Sequence, residues 1–445
     1  MLQKTDLTPE QNAAVDRLFE TNQTLLIAGL GFGKAIVGLT ALTELLDAGV
    51  IKRALVIAPL QVATVTWASE VGKWAFINSQ DVAIACGTPK DRQAAIDSPA
   101  RIIVTNFENA ATLIRASGSL FDALLIDEVT KLKASGGALF KVLRPWVKKL
   151  KWRAGMSATP VAESSEDIYA QALLLDDGKA LGTRKSAFLD TYFRATDYMK
   201  YNWVLRHGAV QLITDRLKDL VFKADDAAYL AGLPPLDTEL LPVYLSPEAE
   251  DIYSEMEKRS TWNNVTAPNA AVLVGKLAQI AAGGLYAGST DDPDRLVWTT
   301  DCKISALQAY VANLNEPVII TYTYDFERVQ LEKAYPTAPV LGGKGKTTPA
   351  DIASFNRGEI PVMIGHPRSM SMGLNLQGNC RILIHLSPLW SADLFAQSIG
   401  RIHRRGQTKP CKRVLFYSPG TVDDRIAMAI KNKKFDEAAF MALLG

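Results

Sequence analysis

Two arginines three residues apart, Arg401 and Arg404, stand in the run Gln397-Ser398-Ile399-Gly400-Arg401-Ile402-His403-Arg404-Arg405-Gly406-Gln407. On a helix, residues at i and i+3 share a face. Two guanidinium groups so placed can neutralise charge building on a γ-phosphoryl group. The same run also reads as a basic, solvated helix face, so other groups must decide. Ala28-Gly29-Leu30-Gly31-Phe32-Gly33-Lys34-Ala35 is a glycine-rich turn between an apolar stretch and a helical one. The glycines Gly29, Gly31 and Gly33 let backbone N–H groups curl around phosphate oxygens, and a helix N-terminus favours the negative charge. Lys34 would reach the β- and γ-phosphates. Leu124-Leu125-Ile126-Asp127-Glu128 ends an apolar run in two carboxylates. In a nucleotide site Asp127 would hold Mg2+, and Glu128 would orient and deprotonate the attacking water. Ser157 and Thr159, just before Pro160, suit a contact linking that site to another surface, or a plain exit from a strand.

These groups need a frame, and the chain supplies one. Thr24–Ala28, Arg53–Ala58, Arg101–Thr105 and Ala123–Ile126 are short apolar stretches separated by helical ones such as Lys34–Ala48. Buried strands alternating with helices give a parallel, doubly wound α/β sheet with its ligand site at the carboxyl ends of the strands. A second series follows at Val318–Thr321, Val362–Gly365, Ile382–Leu386 and Arg413–Tyr417. The boundary is expected at Leu233-Pro234-Pro235-Leu236, giving lobes 1–232 and 233–445. The segment Lys185–Leu230 is expected to be a helical insertion or the end of the first lobe, with its aromatic residues mainly in a core.

With 445 residues and 48 % hydrophobic content, the chain can fill more than one core. Net charge is only +2, so overall basicity does not announce a nucleic-acid partner. Charge is local instead: residues Asp225 to Glu257 are acidic, and Arg401 to Lys434 are basic. Cys86, Cys302, Cys380 and Cys411 have no paired spacing, so a disulfide framework or zinc site is not expected and a reducing cytoplasm fits. No apolar run is long enough for a bilayer, and the N-terminus lacks a signal core.

Taken in order, the motifs resemble those of helicase superfamily two motors of the Snf type, the chromatin-remodeller-like ATPases, in the compact form found in phages and prophages. Leu7-Thr8-Pro9-Glu10-Gln11 resembles the upstream glutamine motif, and Gly31–Ala35 motif I. Ile57-Ala58-Pro59 resembles motif Ia, Thr105-Asn106-Phe107-Glu108 motif Ib, Asp127-Glu128 motif II and Ser157–Pro160 motif III. Ile320-Thr321-Tyr322 stands where motif IV belongs. Gly373-Leu374-Asn375-Leu376-Gln377 resembles motif V, Gln397–Gln407 motif VI, and Thr421–Asp424 the closing segment.

The resemblance implies two RecA-like lobes, with ATP and Mg2+ in a cleft between them and double-stranded DNA lying across both. Residue by residue, it implies that Gln11 binds adenine, that Lys34 and its loop (Ala35 included) hold phosphates, and that Asp127 and Glu128 manage Mg2+ and water. Gly373 and Gln397 would line the nucleotide site, and Arg401 and Arg404 would be arginine fingers. Pro59, Thr105, Asn106, Thr321, Arg368 and Asn375 would contact DNA, mainly at phosphates and without sequence preference. The basic residues Arg404, Arg405, Lys409, Lys412 and Arg413 could reinforce that track. The expected protein is a monomeric DNA translocase of a bacterial or phage-infected cell's cytoplasm, associated with the nucleoid. A strand-separating RNA or DNA helicase and a weakly catalytic ATP-gated clamp are the alternatives. One residue departs from the pattern: Ala35 stands where a hydroxyl normally ligates Mg2+. Either Asp127, waters and phosphates hold the ion, or turnover is slowed, or the residue was altered to trap a state.

Overall fold

The computed structural model describes residues 1–29, 31–132, 135–158, 166–199, 203–225, 232–287, 296–342, 347–370, 376–388, 392–404 and 406–424. One compact unit covers Met1–Leu230 and a second covers Ala231–Phe435.

The first unit is built on seven strands: β1 (Gln23–Ile27), β2 (Ala54–Ala58), β3 (Val82–Ile84), β4 (Ile102–Asn106), β5 (Ala123–Asp127), β6 (Trp152–Ser157) and β7 (Val221–Lys223). They lie in the order β3-β4-β2-β5-β6-β1-β7, and every pairing is parallel. The central strands are buried along their whole length, as a parallel sheet covered on both faces requires. Alternate residues feed opposite cores. Leu25, Ile27, Leu55, Ile57, Leu124 and Ile126 pack on one side, and Leu26, Val56, Ala58, Ala123 and Leu125 on the other. Among its described residues, segment 185–230 carries two short helices and a pair of antiparallel strands, then returns as β7 to pair with β1, so it belongs to this unit. Phe188 and Phe193 are core residues, whereas Tyr198 is 98 % exposed.

The second unit has β8 (Leu236–Pro242), β9 (Val318–Thr321), β10 (Val340–Leu341), β11 (Val362–Gly365), β12 (Ile382–His385) and β13 (Cys411–Tyr417). Their order is β8-β13-β12-β9-β11-β10, again all parallel. Ile320, Ile364 and Ile384 face one core, and Ile319, Met363 and Leu383 the other. The chain is therefore α/β with two helix-flanked parallel sheets. No helix among the described residues is long and apolar enough to cross a membrane.

The helical placement of the two arginines is corrected. Helix Ala392–Ile399 ends before them, and Arg401 and Arg404 lie in turns. Beyond the helix the bonds are mixed: Arg401 N–H donates to Ser398 O at 3.2 Å and Ile402 N–H to Ile399 O at 3.1 Å, one residue short of helical spacing, while His403 N–H donates to Ile399 O at 2.9 Å. The carbonyl of Arg401 accepts from Leu376 N–H at 3.2 Å, a partner outside any helix. Turning the chain here lets Ile402 be fully buried in the second core of its unit.

Candidate nucleotide site

Adjacent strands β5, β6 and β1 end at one edge of the first sheet. Asp127 is in register with Met156, and Ser157 with Ile27. Side-by-side strand ends thus deliver the carboxylates, the hydroxyl and the glycine loop together, as expected for a parallel sheet. The loop leaves β1 with Ala28 N–H bonded to Ser157 O at 3.0 Å. Gly31 and Gly33 have φ of 84° and 90°, values that disfavour other residues. A Cβ on Gly33 would also lie 2.6 Å from Gln11 Nε2. Helix Lys34–Asp47 starts directly after it, with no acidic residue in its first turn, so its positive end is uncompensated.

Lys34 Nζ donates to Ala28 O at 2.9 Å and Gly29 O at 3.2 Å. The ammonium is thereby held over the carbonyls of its own loop. Gln11 closes a capping box at helix Pro9–Glu20: Oε1 accepts from Thr8 N–H at 2.9 Å. Its Nε2 donates to Phe32 O at 2.7 Å. The glutamine assigned to adenine therefore also braces the glycine loop.

Asp127 is buried at 4 % exposure. Burial first, and the neighbouring Glu128 charge second, push its carboxyl up to about 6, while Trp67 and Lys34 act in the opposite direction. Trp67 Nε1 donates to Asp127 Oδ2 at 3.0 Å. Glu128 has φ of 59°, left-handed backbone for a residue with a Cβ, which costs about 1–2 kcal/mol and is tolerated mainly at functional positions. Its Oε2 lies 3.5 Å from Ser157 Oγ, and Thr130 Oγ1 lies 3.4 Å from the same hydroxyl. Thr159 and Pro160 are outside the described residues.

A divalent cation fits this chemistry. Two adjacent carboxylates, one buried with its proton affinity raised, gain from a positive charge beside them. Among the described residues no cluster of three or more His, Cys, Asp or Glu makes a metal cage. Asp127 and Glu128 are the adjacent carboxylates that such a cation would use. Ala35 offers a methyl group, and Thr40 cannot replace the missing hydroxyl: it is buried and donates to Ile36 O at 2.8 Å.

In the second unit, Arg401 Nε donates to Gln397 O at 3.2 Å. Gln407 ties the turn down: Nε2 donates to Cys380 O at 3.2 Å and Ile402 O at 3.3 Å, and contacts Gln377 O at 3.5 Å. Its Oε1 accepts from Thr408 and Lys409 N–H, both at 3.1 Å. Gly406, with φ of 95°, leaves room for Gln377. Arg401, Arg404 and Gln397 are half-buried. Gly373, Asn375 and Arg405 lie outside the described residues.

The residues assigned to DNA divide by burial. Thr105 is buried with its hydroxyl on Ala85 O at 2.8 Å. Asn106 is buried between Glu108 and Asn109, and Thr321 is buried against His385 Nδ1 at 2.8 Å. Their side chains are committed inside the lobes. Pro59 is half-buried and Arg368 exposed. In the basic stretch, Lys412 is paired with Glu239 at 2.7 Å. Arg413 lies 4.3 Å from the Phe395 ring centroid. Lys409 is exposed.

Two features were not visible in the sequence. Trp67 meets Asp127 across 60 residues. A buried chain of groups runs from Glu327 through Ser387 (2.6 Å) and Lys303 (3.3 Å) to Asp423 (2.9 Å). Only the polar residues' apolar neighbours hinted at burial.

Residues 11–282, more than half of the chain, match the SNF2-related domain. Putative protein p41 of Acyrthosiphon pisum secondary endosymbiont phage 1 is 30 % identical, over 96 % of this chain and 95 % of that one. The uncharacterized ATP-dependent helicase YqhH of Bacillus subtilis is 23 % identical, over 96 % and 78 % respectively. The DNA repair and recombination protein RDH54 of Saccharomyces cerevisiae is 20 % identical over 90 % of this chain, which spans 48 % of that protein. With a glycine loop, a lysine and paired carboxylates converging at one sheet edge, the chain belongs to the SNF2-related family of ATPases.

Proposed function

We propose that this ATPase is a DNA-dependent translocase on duplex DNA, with lobes 1–232 and 233–445. The observation that carries the reading is the convergence of Lys34, Asp127, Glu128 and Ser157 at the ends of three adjacent strands. Lys34 and the loop amides bind phosphates, which replace the carbonyls that Lys34 now holds. Asp127 would hold Mg2+, which when bound would supply electrostatic neutralisation of the phosphates. Glu128 orients a water molecule and takes its proton; its contact with Ser157 links this step to motif III. Arg401 and Arg404 act as arginine fingers on the γ-phosphoryl group, and Gln11 and Gln397 contribute to nucleotide binding.

DNA as the partner is supported by the family, by the motif V and VI residues, and by the relative whose name places it in DNA repair and recombination. Contacts would be to phosphates, through Pro59, Arg368, Asn375 and the backbone near Thr105, Asn106 and Thr321. The test is ATP hydrolysis with and without duplex DNA; an unresponsive rate rejects the reading.

Ala35 motivates a second reading, an ATP-gated clamp with weak turnover. Its methyl group and the committed Thr40 hydroxyl leave Mg2+ without a side-chain hydroxyl from this helix turn. Ala35→Thr decides: a sharp rise in turnover marks a weakened motor, and no change marks one that is complete or limited elsewhere.

A further inference from the structure

The strand β2 ends at Ala58, beside β5, which ends at Asp127. After Pro59 the chain coils as a π-helix over Val62–Trp67 and continues as helix Ala68–Lys73. π-turns are rare and cluster at functional positions. This one turns Trp67 fully inward while Leu60 and Val65 stay 48 % and 45 % exposed. No charged residue stands between Pro59 and Ser69. The outer face of the segment thus looks to solvent, and its inner end touches the carboxylate at 3.0 Å. Buried indoles need an acceptor, and Trp146 and Trp152 use the backbone carbonyls of Gly118 and Leu18, whereas Trp67 uses a side-chain carboxylate of the site. A buried N–H on a buried carboxylate oxygen fixes the rotation of that carboxylate and removes one of its lone pairs from competition.

We infer that Trp67 is a positioning residue: it orients Asp127 toward Mg2+, and it makes that orientation answer to whatever contacts the segment Pro59–Trp67. The second half of this inference rests on the proposed DNA-dependent reading, since DNA is then the contact that shifts the segment. Binding at Pro59 would move the π-turn, the indole would carry the movement across one hydrogen bond, and the carboxylate would change its hold on the metal. This gives a route for DNA stimulation contained in the first lobe.

The test uses the full chain and a fluorescent ADP analogue, bound with and without Mg2+ in the absence of DNA. Trp67→Phe keeps an aromatic ring and removes the N–H. The Mg2+-dependent gain in ADP affinity is expected to shrink several-fold, with the metal-free affinity unchanged, and Trp67→His, which restores a ring N–H, should recover part of it. A Phe variant with the wild-type gain overturns the assignment. Should that variant fail to fold, wild-type protein labelled with 15N at the indoles serves instead. The Trp67 signal, identified from the His variant, must move when Mg2+ is added to the ADP complex, and a stationary signal overturns the assignment. For the coupling, duplex DNA should alter the Mg2+-dependent gain in the wild type and not in Trp67→Phe. A wild type whose hydrolysis responds to DNA while this gain does not overturns the coupling. A wild type whose hydrolysis ignores DNA rejects the translocase reading instead, and the DNA-free titration still judges the contact with Asp127.

Discussion

Lys34 Nζ sits on the carbonyl oxygens of Ala28 and Gly29, at 2.9 and 3.2 Å, with its charge felt by Asp127. The ammonium is thereby kept at the mouth of the glycine loop, ready to exchange neutral acceptors for charged phosphate oxygens. Charge-assisted bonds are stronger than neutral ones, so the exchange favours the nucleotide. Lys34→Met should lose at least about 2 kcal/mol of transition-state stabilisation, roughly 30-fold in kcat/KM for ATP. Steady-state kinetics check this; a smaller loss with an unchanged kcat would remove Lys34 from the phosphates.

Arg404 precedes Gly406 and Gln407, whose bonds to Cys380 and Ile402 hold the turn. A finger acts on charge that grows during the reaction. Arg404→Ala should therefore lower kcat more than it weakens ATP binding, measured by single-turnover hydrolysis beside equilibrium binding. An unaltered kcat contradicts the assignment.

Lys303 and Asp423 form a buried pair at 2.9 Å, both almost wholly excluded from solvent. Asp423 also accepts from Ser418 N–H at 2.9 Å, and Ser387 joins Lys303 to Glu327. Removing one partner leaves the other charge buried. Lys303→Met should destabilise the second unit by about 3–5 kcal/mol, and adding Asp423→Leu should return part of that. Urea denaturation reads both, and additive losses would contradict the pairing.

His385 is fully buried beside Thr321, and burial first and the Arg413 charge second lower its imidazole to about 3. An unfolded histidine titrates near about 6.5. Between these values the unfolded chain binds a proton that the folded chain refuses. The stabilisation is complete above the higher value and is lost as pH falls toward the lower one. Going from about pH 6.5 to about pH 5 should cost the wild type about 2 kcal/mol more than His385→Asn. Asp127 and Glu327, whose carboxyls are raised chiefly by burial, act with the opposite sign in both proteins and cancel in the comparison. Equal losses in urea titrations at the two pH values would contradict the buried neutral imidazole.

The frame was legible where physics is local. Short apolar runs such as Leu124–Ile126, too short for a buried helix and recurring between helical stretches, read as strands buried on both faces, and they lie in the sheet. The glycine loop and the Asp127–Glu128 pair were likewise marked by their place at strand ends. What escaped depends on distant partners. Leu236–Pro242 stands in the acidic stretch just past the expected boundary, with Asp237 and Glu239 in it, and is not among the strands expected from the sequence, yet it pairs with Cys411–Tyr417. No local pattern announces a partner so far along the chain. Trp67 could not be tied to Asp127 without the register that sets β2 beside β5. The arginine pair was placed on a helix because spacing alone cannot show that Arg401 O is taken by Leu376.

The central claim is that the site at Lys34, Asp127 and Glu128 hydrolyses ATP in response to duplex DNA. The direct measurement is the steady-state hydrolysis rate of the full chain, with Mg2+, as duplex DNA is titrated in, beside a Glu128→Gln control. The account predicts a rate that rises several-fold and saturates with DNA, and that Glu128→Gln abolishes. A rate indifferent to DNA, or one that survives in Glu128→Gln, would contradict it.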